Sequence, residues 1–504
     1  MLRRYNVLAL VSASALAACS TDVVAPMKAP IAVNMALSAP TQSDSYVVLT
    51  NGKDFPSGFA AKVASLGGTV TYSNGKAGFA AVSGLTASAA TQLGALAGIS
   101  DIQADELVAL DAPIATAEAD ASSLGNPSID SQAHPATAIL AGWQWNMRLI
   151  GADKAWAAGK LGDPGVTVAI LDTGIDYDDF DVTGLVDLSR STSFMRTFTK
   201  ATDTSTVRLA DDTLSKRFFP TRSVISDYNG HGTNVAQQVS SKAFAFAGVS
   251  SKTKLIGVKV LGSNGVGTFG QIFSGVLWAA DHGADVANMS LGGGFAKAGN
   301  GRLVGAINKV FNYAKQQGML IVVSAGNSGA DLQHNGNVES TFCDSPHVIC
   351  VSSVGPKTFT GNGDLPAFYT NFGRSTVGVA APGGNAVPTA DGKNLVPSNG
   401  WPWGSGANLT DVASWVWGFC SKTRLAWLAS GSPALTSCAA GNRLSGFIGT
   451  SQASPHVAGL AALLVAQYGH GQPQMIKHLI EQSAVAVNPL LGRGRISVSN
   501  ALGL

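Results

Sequence analysis

Charge is scarce in this 504-residue chain: Asp, Glu, Lys and Arg make up 13% of it, and the formal net charge is only +2. That balance leaves no basic footprint for nucleic acid and no acidic tail. Cysteine is scarce too, at five, and none lies in a Cys-x-x-Cys or His-rich spacing of the kind that holds zinc. Beyond the N-terminus no apolar run is long enough to cross a bilayer, because each is broken by Gly or a polar residue. No unit of about 20–50 residues repeats, which sets aside solenoids and propellers. What the chain has in plenty is apolar and small: 45% hydrophobic residues and 59 Gly. This fits a large buried core with many tight turns and excludes a disordered chain.

Arg3 and Arg4 precede an apolar, small-residue stretch from Val7 to Ala18, which reads as a signal peptide over residues 1–18, too short for a permanent span. Leu16-Ala17-Ala18-Cys19 resembles the bacterial lipobox. That resemblance implies lipidation of Cys19 and a membrane-anchored precursor; an ordinary cleavage site that leaves Cys19 as a spare thiol is the alternative. With Cys19 set aside, Cys343, Cys350, Cys420 and Cys438 remain, and disulfides suit an exported chain. Three connectivities are possible, of which Cys343–Cys350 with Cys420–Cys438 is expected. Loops this short contribute about 2–3 kcal/mol each by chain entropy.

Residues 19–45, rich in Ala, Pro, Ser and Thr, read as a tether. Over residues 46–111, strand and helix patterns alternate as in a small α+β sandwich, and residues 112–141, punctuated by Pro and Gly, read as a linker. From residue 142 to 504 short β-branched runs such as Val166 to Leu171 and Val348 to Val354 alternate with helices. The clearest helix carries Leu303, Val304, Ile307, Val310, Phe311 and Ala314 at helical spacing. Strand, helix, strand at this rhythm predicts right-handed crossovers and a doubly wound, mostly parallel α/β sheet. A tryptophan-rich insertion is expected near residues 385–445, as a disulfide-stapled flap.

In such a sheet, functional groups sit at the carboxyl ends of strands, and Val166 to Leu171 runs straight into Asp172-Thr173-Gly174. Two more segments set a reactive side chain among small residues at a helix start: Gly230-His231-Gly232-Thr233 and Gly449-Thr450-Ser451-Gln452-Ala453. A serine hydroxyl needs a histidine to take its proton, and the histidine needs a carboxylate to fix its tautomer. Together, and in the order Asp, His, Ser, the three segments resemble the signatures of the subtilisin-like serine peptidases. The resemblance covers roughly residues 143–504, and residues 46–110 are similar to that family's inhibitory propeptide. It implies that Asp172 orients, His231 acts as general base then acid, Ser451 attacks, and Asn327 supplies an oxyanion-hole amide beside the Ser451 N–H.

The same resemblance implies substrate contacts at Gly265, Val266 and Gly267 and at Ser290, Leu291 and Gly292. These are two backbone segments between which a peptide adds as a strand. It places Ala325 and Gly326 beside the cut, Phe269 as an aromatic wall, and Ser328 where many members carry an acid, so uncharged side chains are preferred. The implied partners are protein or peptide substrates and the chain's own propeptide. The chemistry requires no cofactor. Asp181 matches one ligand of a structural calcium in relatives, although the loop from Lys242 to Val249 lacks their Asn-rich sequence. Asn234, Gln237 and Gln452 stand where the family has histidine, glycine and methionine. His456 lies along the nucleophile's helix, facing away from Ser451, and reads as packing.

Together these readings describe a secreted serine endopeptidase made as an inhibited precursor, with the mature enzyme periplasmic or extracellular. The alternative of another class is a catalytically inactive peptide-binding lipoprotein of the same fold. A lipase or esterase is excluded by motif order, since those folds place the serine first, in Gly-x-Ser-x-Gly.

Overall fold

A computed structural model describes residues 44–52, 54–110, 115–120, 131–195, 211–340, 342–357, 361–386, 414–427, 433–440 and 443–504. Cys19, the signal segment, residues 19–43 of the tether, and Trp401 and Trp403 of the insertion lie outside them.

The larger unit is built on seven parallel strands. In chain order they are β7 (Thr167–Asp172), β8 (Thr192–Ser193), β9 (Lys254–Lys259), β11 (Val286–Met289), β12 (Leu320–Ser324), β13 (Val348–Val354) and β14 (Val379–Pro382). Their order across the sheet is β14-β13-β12-β11-β7-β9-β8. The expected doubly wound architecture is therefore present. Along β7 the side chains alternate by face, as a pleated strand requires. Ala169 and Leu171 join one core with helices α4 (Phe269–Asp281) and α5 (Gly301–Gln316). Val168 and Ile170 join the other, with α3 (His231–Val239), α6 (Thr450–Tyr468) and α7 (Pro473–Gln482). Burial on both faces explains why these strands read as continuous apolar runs.

The smaller unit is a four-stranded antiparallel sheet, ordered β2-β3-β1-β4, from β1 (Tyr46–Thr50), β2 (Thr69–Asn74), β3 (Phe79–Ser83) and β4 (Ile99–Ala104). One face packs on α1 (Phe59–Ser65) and α2 (Ala87–Gly94). The opposite face, with Val47, Leu49, Phe79 and Ala81, is part of the core formed by α4 and α5. There the Phe79 and Phe273 rings meet edge to face at 5.9 Å.

The segment expected as a linker carries structure in two places. Residues 131–141 pack on the larger unit: Gln132 Nε2 donates to the Ser251 carbonyl at 2.6 Å, and Leu140 N to the Ala245 carbonyl at 2.9 Å. The linker also contains a strand, β6 (Ala115–Asp120), antiparallel to β16 (Arg443–Ile448), which pairs on its other side with β15 (Val416–Phe419). Its backbone donors and acceptors found a sheet edge, which composition alone does not reveal. Both expected disulfides, Cys343–Cys350 and Cys420–Cys438, are formed.

Candidate active site

Asp172 ends β7, fully buried, and its carboxylate faces the imidazole of His231: Oδ1 lies 2.9 Å and Oδ2 3.1 Å from Nδ1. The Thr173 N–H also donates to Oδ1, at 2.7 Å. His231 opens α3 behind Gly230, whose φ of 97° lies in the left-handed region where glycine is at ease. The helix starts hard against the strand end. A Cβ on Gly232 would press into the Gly174 carbonyl oxygen and stand 3.1 Å from Asp172 Cβ.

Ser451 lies in the first turn of α6, after Gly449, where the helix dipole favours negative charge. Its Oγ donates to the Ser290 carbonyl at 3.4 Å, while the buried His231 Nε2 has no hydrogen-bond partner among the described residues. Ser451 Oγ and the imidazole are therefore not hydrogen-bonded to each other, a looseness that is common in sites without substrate. Asn327 is held from one side: its Oδ1 accepts from Thr450 N at 2.8 Å and Thr450 Oγ1 at 2.9 Å. Its amide nitrogen therefore lies along the turn that leads to Ser451, 3.2 Å from where a Gly449 Cβ would be. Asp172, His231, Asn327 and Ser451, read from four separate segments, thus converge on one end of the sheet.

The expected substrate segments converge there too. Gly265 accepts Leu110 N–H at 2.6 Å, and β10 (Val266–Thr268) pairs antiparallel with β5 (Leu107–Ala109) of the same chain. Phe269 is buried against Phe295 at 5.8 Å and Phe342 at 6.0 Å, both edge to face. Ser290 supports the turn that carries Ser451, its Oγ donating to the Ser451 carbonyl at 2.8 Å. Leu291 and Gly292 follow it, buried. Ala325 and Gly326 are tied to Asn371, whose Nδ2 donates to the Ala325 carbonyl at 2.8 Å and whose N–H donates to the Gly326 carbonyl at 2.9 Å. Ser328 Oγ donates to Asn371 Oδ1 at 2.9 Å.

Asp181 does not fit the calcium expectation. Its Oδ1 accepts N–H groups of Phe244 (2.7 Å) and Ala245 (3.2 Å), and its Oδ2 that of Phe246 (3.0 Å). Calcium takes six to eight oxygens, whereas this carboxylate is ringed by N–H dipoles that turn positive ends toward it. Among the described residues no group of three metal-ligating side chains forms. Burial pushes the Asp181 carboxyl up to about 7, against the pull of those donors.

Some residues that hold the site carry no sequence motif. Asp227 ties the strand end that carries Asp172 to the helix start that carries His231: Oδ1 accepts from Thr173 Oγ1 at 2.9 Å and Gly230 N at 2.8 Å, and Oδ2 from Thr233 N at 2.9 Å. The departures at Asn234 and Gln237 also find their reason. With Gln238, they give α3 a polar face on which the insertion docks. Asn234 Nδ2 reaches the Ser445 carbonyl (3.4 Å), Gln238 Nε2 the Trp417 carbonyl (3.0 Å), and Gln237 Oε1 accepts Phe419 N–H (2.7 Å). Gln237 Nε2 donates to Asp179 at 3.1 Å, a carboxyl that burial, then Asp181 and Asp176, push well above its ordinary range. Gln452 Nε2 reaches Asn234 Oδ1 at 3.4 Å. His456 packs as expected, its Nδ1 bonding the Gln452 carbonyl at 2.8 Å and its Nε2 the Asn146 amide at 2.9 Å.

A buried strand-end aspartate, a helix-start histidine and a helix-start serine on a doubly wound sheet define a subtilisin-like serine peptidase fold. The profile of the subtilase family matches residues 163–503, and the chain belongs to that family. It is 28% identical over 369 residues to a thermophilic serine proteinase of Bacillus sp. (strain AK1), covering 72% of this chain and 67% of that one. Subtilisin DY of Bacillus licheniformis is also 28% identical, over 71% of this chain and 97% of its own. Among solved structures, the epidermin leader peptide processing serine protease of Staphylococcus aureus superposes with a TM-score of 0.64. That match is at 20% identity and covers 91% of this chain and 98% of the other, so it speaks to the fold.

Proposed function

We propose that the chain is the precursor of an exported serine endopeptidase whose own N-terminal unit blocks the cleft until it is cut. The observation that carries this reading is the path of the chain. Leu107–Ala109 pairs with β10 on one side of the catalytic residues, and Ala115–Asp120 pairs with β16, which runs into Ser451, on the other. Only residues 111–114 separate these two strands, so self-cleavage falls between Leu110 and Ala115.

The chemistry follows from the geometry. Asp172 keeps the proton on His231 Nδ1, leaving Nε2 free to take the Ser451 Oγ proton as Oγ attacks the carbonyl carbon. The oxyanion accepts hydrogen bonds from Asn327 Nδ2 and the Ser451 N–H. Collapse expels the amine, which receives the proton from Nε2, and leaves an ester on Ser451. Water then attacks the ester with the same base, releasing the acid and restoring Oγ–H. No step calls on a metal or cofactor.

The lipobox-like Cys19 lies before the inhibitory unit, so the same cut would activate the enzyme and release it from the membrane, into the periplasm or beyond. The test is N-terminal sequencing and cell fractionation. The wild type should yield a soluble form starting within residues 111–115, and the Ser451→Ala chain a full-length form bound to the membrane. A wild-type chain that stays uncut, or a mature form that stays with the membrane, contradicts the corresponding step.

A further inference from the structure

We infer that Asp211 is a positioning residue for the amino side of the substrate: without touching substrate, it fixes the turn over residues 262–266 that presents the binding edge for that side. The inference rests on the peptidase reading and extends it to a residue that no motif marks.

The turn leaves β9 and enters β10. It closes on itself through Gly262 N–H, which donates to the Val266 carbonyl at 3.0 Å, and Gly265 N–H, which donates to the Gly262 carbonyl at 2.8 Å. Its outer edge is the one that residues 107–110 of the same chain occupy. At the tip of the turn both backbone groups of Ser263 are taken. The N–H donates to Asp211 Oδ1 at 3.1 Å, and the carbonyl accepts from Asn229 Nδ2, also at 3.1 Å. Asn229 Oδ1 in turn accepts the His231 N–H at 3.3 Å. One side of Ser263 is thereby tied to the helix start that carries His231, and the other to Asp211.

Asp211 can hold the turn because it is itself held. It is the first residue of the helix Asp211–Phe218, and its Oδ2 lies 2.6 Å from Nζ of Lys259. Lys259 is fully buried at the end of β9, in register beside Asp172 on β7. Its Nζ also donates to the Ser226 carbonyl at 2.7 Å and lies 4.2 Å over the Tyr228 ring. The helix is fastened again one turn on, where Ser215 Oγ hydrogen-bonds the Tyr228 hydroxyl. An amide or a hydroxyl would satisfy the Ser263 N–H alone. A carboxylate is needed to meet Lys259 as well, since a buried ion left without its partner is costly. The pair thus ties the turn to the two strands whose ends carry Lys259 and Asp172. There is little slack: a Cβ on Gly262 would stand 3.2 Å from Met195 Cε and 3.5 Å from Asp211 Oδ1.

The test compares two exchanges that both remove the ion pair. Lys259→Met with Asp211→Leu replaces it by apolar residues of similar size, which sites of buried pairs commonly tolerate, and leaves the Ser263 N–H without its acceptor. Lys259→Met with Asp211→Asn keeps an oxygen for that N–H. Asp211→Ala in the same background is a second acceptor-free variant. All are made as full chains, like the wild type, with a specific protease site within residues 111–114, so that processing does not depend on their own activity. Rates are expressed per active site titrated with a serine-directed phosphonate, which removes any misfolded fraction. The substrates share one leaving group and carry one or four residues on the amino side of the cut bond; four cover the edge as residues 107–110 do, whereas one leaves β10 uncovered. The readout is the ratio of kcat/KM for the four-residue substrate to that for the one-residue substrate. In the acceptor-free variants it is expected to fall by about tenfold or more, because contacts remote from the cut bond no longer help to place it. In the Asn exchange it should stay within about threefold of the wild type, since one neutral hydrogen bond replaces a charge-assisted one. Equal ratios in the Leu and Asn exchanges, high or low, overturn the positioning role while leaving the peptidase reading intact. A wild-type chain that cuts neither substrate and takes no label overturns the peptidase reading and the role of Asp211 with it.

Discussion

Gly232 sits so close to Gly174 that no side chain fits between the start of the histidine helix and the end of the aspartate strand. This contact sets the 2.9 Å distance from His231 Nδ1 to Asp172 Oδ1, because helix and strand meet backbone to backbone. Gly232→Ala should therefore force the helix away from the strand and cost activity far beyond its small change in volume. A displacement near 1 Å at a catalytic group costs about a hundredfold. Steady-state kinetics on a peptide substrate should show that loss mainly in kcat; an unchanged kcat contradicts the packing argument.

Gln237 links the insertion to the histidine helix through Phe419 N–H and Asp179. Gln237→Ala strands both partners in a buried place, at about 2–4 kcal/mol in all. Urea unfolding in a Ser451→Ala background, which prevents self-digestion, should reveal this loss, together with faster proteolytic nicking of residues 414–448. A variant as stable as its parent would mean that the insertion docks by other contacts.

Much of this was legible in the sequence, and the rest was hidden for physical reasons. The Asp172, His231 and Ser451 segments announced themselves because a reactive side chain between small residues at a strand end or helix start is a local pattern, whereas Asn327 was read only through the family resemblance. The parallel sheet was legible because β7 and β13 are buried on both faces and read as apolar runs. Asp227 was not legible, since its work is done by contacts with Thr173 and Thr233, 54 and 6 residues away. Nor was β6, because Ala115–Asp120 becomes a strand through its register with Arg443–Ile448, more than 300 residues on. Asp181 matched a calcium ligand by position, but the short loop after Lys242 turns three N–H groups onto it instead.

That substitution of amides for a cation has a direct consequence. Removing divalent ions with EDTA should leave the melting temperature of Ser451→Ala unchanged, whereas adding Asp181→Asn should cost about 2 kcal/mol or more, because an amide has one oxygen for the three N–H groups that two carboxylate oxygens now accept. Differential scanning calorimetry with and without EDTA checks both. A melting temperature that falls with EDTA in the parent, and not in Asp181→Asn, contradicts the assignment.

His456 gives a pH dependence. Burial lowers its imidazole from 6.5 to about 4, a pull that the Gln452 carbonyl opposes. The unfolded chain thus binds more protons than the folded one between those values. The stability His456 contributes as a neutral ring is complete above pH 6.5 and is lost as pH falls toward 4, up to about 3 kcal/mol. Urea unfolding of Ser451→Ala from pH 7.5 to 4.5 should be steeper in pH than that of Ser451→Ala with His456→Gln. Equal slopes contradict a buried neutral imidazole.

The most direct measurement of the central claim is covalent labelling of the processed enzyme by a serine-directed phosphonate, with the modified residue located by peptide mass spectrometry. The account predicts a single label on Ser451, absent in Ser451→Ala and strongly slowed in His231→Ala. Asn327→Ala is also expected to slow peptide cleavage by about 10²–10³ in kcat, as loss of an oxyanion-hole asparagine does in a subtilisin. A folded Ser451→Ala chain that still takes the label, or still cuts peptides at the wild-type rate, would contradict it.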